Sequence, residues 1–207
     1  GLSALPDNEM LAVARKGLKK TRLGAFLIPG FGTIKDNLGP AIDLGVDLVC
    51  VACHCTEADV TAQHIDYVVK KHKEAYGVLM MYHMASKERL LMEAKKMQSY
   101  GASGVILMDS AGASDPDMVK DAVKFLSKGL DVMVGFHGHN NLGLAVGNSL
   151  VAVNSGARII DGTVRGFGAG AGNCQLEVFA GLLSKLDIET GVNLYKLMDV
   201  SDGVVAK

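Results

Sequence analysis

The sequence has no tryptophan, and aromatic residues make up 5% of its 207 positions, against 25 glycines. That balance leans away from a β-sandwich and towards an α/β domain. Neither sign of charge prevails: Lys+Arg number 21 and Asp+Glu 22, for a formal net charge of -1. No Lys/Arg run exceeds a pair, so the footprint of a nucleic-acid binder is missing. No apolar run approaches the roughly 20 residues that a bilayer requires; a typical one is Val78-Leu79-Met80-Met81-Tyr82. Gly1-Leu2-Ser3-Ala4-Leu5-Pro6-Asp7 lacks both the basic and the apolar region of a signal peptide. Four cysteines are too few for a disulfide scaffold in a chain this size. What is present is apolar content, 49%, which excludes disorder and supplies a sizeable core. A soluble, cytoplasmic protein is expected, with one domain or one plus a small appendage.

Short apolar runs without alternation recur at 25–29 (AFLIP), 48–53 (LVCVAC), 78–84 (VLMMYHM), 104–110 (GVILMDS), 132–139 (VMVGFHGH) and 158–164 (RIIDGTV). Such runs read as strands buried on both faces, hence parallel. Helix-length segments lie between them, at 57–75, 87–99 and 116–127, the last with Pro116 near its first turn. A helix over 7–20 opens the chain. The strand starts step by about 27 residues, one βα unit each. Open doubly wound sheets and closed (β/α)8 barrels both use such repeats. Polar residues at nearly every strand's carboxyl end favour the barrel: His54, His83, Asp109 and Ser110, His137 and His139, and Asp161. The expected fold is therefore an α/β TIM barrel, here about six of its eight βα units. Two open edges would follow, and an apolar edge such as 25–29 is expected to favour self-association.

The sharpest chemical signal is Gly135-Phe136-His137-Gly138-His139-Asn140-Asn141. Residues i and i+2 of a strand share a face, so the two imidazoles project together. They can bind one divalent metal as neighbouring ligands, with an oxygen ligand from elsewhere, or they can be two hydrogen-bonded histidines at a strand end. Asp109-Ser110-Ala111-Gly112 can orient ligands and anchor a carboxylate, or satisfy a turn. The glycines of Gly166-Phe167-Gly168-Ala169-Gly170-Ala171-Gly172-Asn173 fall in the final unit and have no acidic strand end after them, which argues against a dinucleotide loop. Tight packing, or a loop turning Asn173 to the site, is expected instead. Cys50, Cys53 and Cys55 bracket His54 but lack a second zinc-spaced pair, and read as small buried hydrophobes. His54 and His83 are lining candidates; His64 and His72 are expected at the surface of helix 57–75.

HGHNNLGLAVGNSLVAV followed by IDGTVRGFGAGAGNCQLE resembles the 4-hydroxy-2-oxovalerate aldolases, and LIPGFGTIKDN, CHCTEADVTAQHI, MMYHM and MDSAGA extend the resemblance over nearly the whole chain. These are class II pyruvate aldolases, in a superfamily shared with isopropylmalate synthases and hydroxymethylglutaryl-CoA lyases. The resemblance implies a TIM barrel. It also implies a lyase that cleaves 4-hydroxy-2-oxopentanoate to pyruvate and acetaldehyde through a metal-stabilised pyruvate enolate, with Mn²⁺ as the usual metal, in aromatic hydrocarbon catabolism.

By the same resemblance His137 and His139 are metal ligands, and His137 also lies against the substrate. Ser110 holds the pyruvate carboxylate. Asn173 matches an asparagine that binds the metal in related lyases and is expected here to stand behind the ligands. The family's Arg-Asp-Gly strand, with its metal-binding Asp and enolate-stabilising Arg, has no counterpart in this sequence, nor has the histidine that follows as general base. No catalytic residue is therefore assigned within the chain, and those three are expected in a preceding segment. Residues 1–190 are expected to form a partial barrel domain and 191–207 to begin a truncated helical region. That region, in full-length relatives, docks an acylating acetaldehyde dehydrogenase. A homo-oligomer is expected. Two other readings are an isopropylmalate-synthase-like, acyl-CoA-dependent 2-oxo acid synthase and an inactive barrel fragment. Asn140-Asn141 after the second histidine, and a glycine loop without acidic residues, favour the aldolase over the synthase.

Overall fold

A computed structural model describes residues 4–205. Gly1–Ser3 of the N-terminal reading and the last two residues of 191–207 lie outside them. Six parallel strands form one sheet in the order β1 to β6: β1 Gly24–Leu27, β2 Leu48–His54, β3 Glu74–Met80, β4 Gly104–Asp109, β5 Met133–Gly138 and β6 Ile159–Asp161. A doubly wound sheet reverses its strand order at a switch point, whereas a barrel adds each strand beside the last. The observed sequential order is the barrel's.

The helices are α1 Asp7–Gly17, α2 Gly39–Asp43, α3 Ala62–Lys70, α4 Lys87–Ser99, α5 Pro116–Gly129, α6 Ala145–Asn154, α7 Leu176–Lys185 and α8 Leu194–Val200. Local chemistry starts two of them: the Ser86 hydroxyl accepts from the Arg89 N–H, and the Asp115 carboxylate from the Met118 N–H. None of the described helices is long and apolar enough to cross a membrane.

Each central strand divides its side chains between two cores. Val49, Val51, Cys53, Leu79, Val105, Leu107, Val134 and Phe136 pack with the helices, beside Ile65, Leu90, Met97, Val123 and Leu126. The alternate positions Leu48, Cys50, Ala52, Tyr76, Val78, Met80, Ile106, Met108 and Ile159 form the interior cluster. Both faces are apolar, which is why the sequence shows continuous runs rather than alternation.

Four elements have boundaries that differ from expectation. The third strand runs over Glu74–Met80 rather than 78–84, because it pairs with β2 from Leu48↔Glu74 onwards. The YHM segment instead forms a 3₁₀ turn, Tyr82–Met84, entered through Met81 at φ 56°. The helix expected over 57–75 is a 3₁₀ turn, Ala58–Thr61, followed by the shorter α3, and α1 stops at Gly17. The sixth strand ends at Asp161, ahead of a 3₁₀ turn at Val164–Gly166.

Candidate active site

Strand pairing brings the polar strand ends together at the carboxyl rim. Along β4, β5 and β6 the register pairs Met108 with His137 and His137 with Asp161. Met108 faces the interior, and so therefore does Ser110, two residues on. The rings of His137 and His139 lie with centroids 5.2 Å apart. His137 Nδ1 lies 3.2 Å from Asp161 Oδ2. A carboxylate can only accept, so the bond places the proton on Nδ1 and leaves the Nε2 lone pair free. Burial and the neighbouring His137 hold His139 below the ordinary imidazole value, against an opposing pull from Asp109. The neutral ring is the form that binds a metal.

Asn173 joins the pair through the glycine loop. It forms an antiparallel bridge with His139, while the Asn140 N–H donates to the Gly172 carbonyl at 2.8 Å and the Cys174 N–H to the Gly138 carbonyl at 3.1 Å. Directly opposed residues of such a bridge present side chains to the same side. The Asn173 amide nitrogen donates to the Phe167 carbonyl at 3.0 Å, but its Oδ1 is buried without a partner. Gly172, at φ +88°, makes the turn possible: a Cβ there would sit 2.2 Å from the Gly166 carbonyl oxygen.

Ser110 and Asp109 separate. The Ser110 hydroxyl accepts from the Met81 N–H at 3.1 Å. Asp109 points to the opposite face, fully buried, and its carboxylate accepts from the N–H groups of Ala113 (3.2 Å) and Ser114 (3.1 Å). It closes the turn rather than facing the histidine pair. His83, carried off the strand end by the 3₁₀ turn, has its Nδ1 buried and unpartnered, 3.9 Å from Asp109 Oδ1. His54 stays at the end of β2, with Nδ1 2.8 Å from Thr56 Oγ1.

His64, expected at the surface, is half-buried, with Nε2 3.2 Å from the Gly32 carbonyl, because α3 packs against the 28–33 turn. His72 is exposed, just past the helix end. The four cysteines are free thiols, three of them buried. The sequence reading placed Asp161 at the rim but missed its bond to His137. Its position at a neighbouring strand end was the signal.

Among the described residues no cluster of three or more His, Cys, Asp or Glu side chains could hold a metal. The pair supplies two imidazoles, with an orphaned amide oxygen beside them, which suits part of a divalent cation's shell.

The chain is 56% identical over 202 residues to the 4-hydroxy-2-oxovalerate aldolase of Pectobacterium atrosepticum, covering 98% of this chain and 59% of that protein. The aldolase of the same name from Spirochaeta aurantia is 52% identical over the same shares. The chain thus spans about three-fifths of the length of the curated relatives it matches. Among solved structures, the HMG-CoA lyase of Bacillus subtilis superposes with TM-score 0.84 at 20% identity, over 95% of this chain and 74% of that one. The carboxyl transferase domain of Rhizobium etli pyruvate carboxylase gives 0.85 at 19%, over 95% and 36%. These two likenesses bear on the fold alone and agree with the barrel order of the strands. The HMGL-like family model matches residues 47–204, which carry β2 to β6, both rim histidines and the glycine loop, and the chain belongs to the HMGL-like family.

Proposed function

We propose that this chain is the larger part of a divalent-metal-dependent aldolase that cleaves 4-hydroxy-2-oxopentanoate to pyruvate and acetaldehyde. The observation that carries the reading is the imidazole pair at the barrel rim, with His137 oriented by Asp161, in a chain about half identical to proteins named for that activity. Residues 1–190 are the barrel part and 191–207 the beginning of a helical region.

His137 and His139 would hold the metal, Mn²⁺ by the resemblance. When bound, such a cation supplies Lewis-acid stabilisation of negative charge developing at the 2-oxo oxygen, worth several kcal/mol. Asp161 keeps the His137 proton on Nδ1 and so presents Nε2 to the site. Ser110, on the interior face beside Met108, orients the substrate carboxylate so that the breaking C–C bond is aligned. Its hydroxyl hydrogen is free for that task, since the oxygen already accepts from Met81. Asn173 stands behind the pair, offering Oδ1 to an N–H or O–H donor within the site. The third ligand, the enolate-stabilising Arg and the general base that the resemblance implies have no counterpart among these 207 residues. An acylating acetaldehyde dehydrogenase is the partner suited to the aldehyde product, and a cytoplasmic homo-oligomer working in aromatic catabolism completes the proposal.

The test is pyruvate release from 4-hydroxy-2-oxopentanoate by the purified whole protein of which this chain is the larger part. Release is expected to require a divalent cation and to be lost in His137→Ala and His139→Ala. Condensation of a 2-oxo acid with acetyl-CoA, without cleavage, would overturn the reading.

A further inference from the structure

The site as described draws on β4, β5, β6 and the glycine loop, and makes no use of the imidazole that ends β2. His54 ends β2 on the same face as Cys50 and Ala52, both members of the interior cluster. The register then runs His54↔Met80, Met80↔Met108, Met108↔His137 without a break. His54 and His137 thus close the two ends of one interior row whose middle is a pair of thioethers. At about 4.8 Å per strand the two histidines are about 14 Å apart along the curved sheet, and their side chains converge inward.

The imidazole of His54 is braced. Thr56 Oγ1 lies 2.8 Å from Nδ1, while Nε2 makes no hydrogen bond among the described residues. The turn that carries Thr56 is itself pinned: Arg89 Nη2 donates to the Thr56 carbonyl at 2.9 Å, and the Ala58 N–H donates to Glu93 Oε2 at 2.9 Å. Glu93 is fully buried and ion-paired with Arg89 at 2.9 Å and Lys96 at 3.1 Å. A buried carboxylate is tolerated only when its charge is paired and its lone pairs are satisfied. Here that arrangement holds rigid the one turn that aims His54.

We propose that His54 is a substrate-binding residue whose Nε2 hydrogen-bonds the oxygen on C4 of the 4-hydroxy-2-oxo acid, which becomes the aldehyde oxygen after cleavage. The inference rests on the aldolase reading. With the 2-oxo and carboxylate oxygens at His137 and Ser110, the short apolar middle of the substrate lies over Met80 and Met108. The far oxygen is then directed to the other polar end of the row. His54 accordingly selects for an oxygen at that position and leaves recognition of the pyruvate half to the opposite side.

The experiment compares the two halves in the purified, Mn²⁺-supplemented protein: pyruvate affinity by calorimetry, and acetaldehyde KM in the condensation direction. His54→Leu should raise the acetaldehyde KM about tenfold, the scale of one hydrogen bond, with pyruvate affinity unchanged. His54→Gln, which keeps an N–H, should recover most of the loss. Should His54→Leu fail to fold, Thr56→Val removes only the brace and should raise the acetaldehyde KM alone. An unchanged acetaldehyde KM, or an equal fall in pyruvate affinity, in an active protein would overturn this inference and leave the aldolase reading standing. A wild-type protein that binds no pyruvate and forms no aldol would overturn both.

Discussion

The imidazole of His137 and the carboxylate of Asp161 meet at 3.2 Å across the β5–β6 pair, directly opposite each other in the strand register. One residue's backbone pairing therefore sets the other's ring orientation. Replacing Asp161 by Asn keeps the volume but substitutes a weaker, neutral partner for Nδ1. Mn²⁺ affinity, read by calorimetric titration, is expected to fall about 10- to 100-fold, with the circular dichroism spectrum unchanged. Undiminished affinity would show that Asp161 does not orient the ligand.

Ser110 joins two elements, since its oxygen accepts from the N–H of Met81, while its hydroxyl hydrogen has no acceptor among the described residues. Ser110→Ala should weaken pyruvate binding about tenfold, as expected for a lost charge-assisted hydrogen bond, and lower stability by about 1 kcal/mol. Calorimetry and thermal melts separate the two effects.

Asp109 sits fully buried beneath the rim with two backbone N–H groups on its carboxylate. Ser114, one of those two, also accepts the Tyr82 hydroxyl at 2.7 Å. Asp109→Ala leaves both N–H groups unpaired and should cost about 3 kcal/mol in urea unfolding. Metal affinity should survive in whatever fraction folds, since the carboxylate faces away from the pair.

At the opposite end of the barrel, hydrogen bonds from Tyr76 and Arg22 hold the Glu74 carboxyl below its ordinary value. A carboxyl whose folded pKa is lowered stabilises the fold above its unfolded pKa. That contribution disappears as pH falls through the folded value. Glu74→Gln is therefore expected to flatten the acid limb of a stability–pH curve while lowering stability at neutral pH. Parallel curves for wild type and variant would contradict it.

Burial pushes the thiols of Cys50 and Cys53 up to about 12. At pH 8 only about one molecule in ten thousand would carry either thiolate, so native labelling by a disulfide reagent should be slow at both. All four cysteines should react promptly in urea. Rapid native labelling of Cys53 would mean that β2 opens.

The repeat of apolar runs, the i, i+2 histidines and the bilateral burial of the strands were legible in the sequence by itself. Each follows from local periodicity: a strand's side chains alternate whatever it pairs with, so the shared face of His137 and His139 was determined before any partner was known. The tertiary structure alone decided which rim groups meet. Asp109 and Asp161 both end strands, yet one closes its own turn and the other orients an imidazole, because register and facing are set by pairing with a neighbouring strand. The shift of the third strand to Glu74–Met80 has the same origin: once Leu48 pairs with Glu74, MYHM lies past the sheet and must turn. Asn173 reaches His139 through a bridge between segments 34 residues apart in sequence, for which no local pattern codes. Local alternation is a property of each segment's own backbone, whereas register is chosen by hydrogen bonds between segments far apart in the chain.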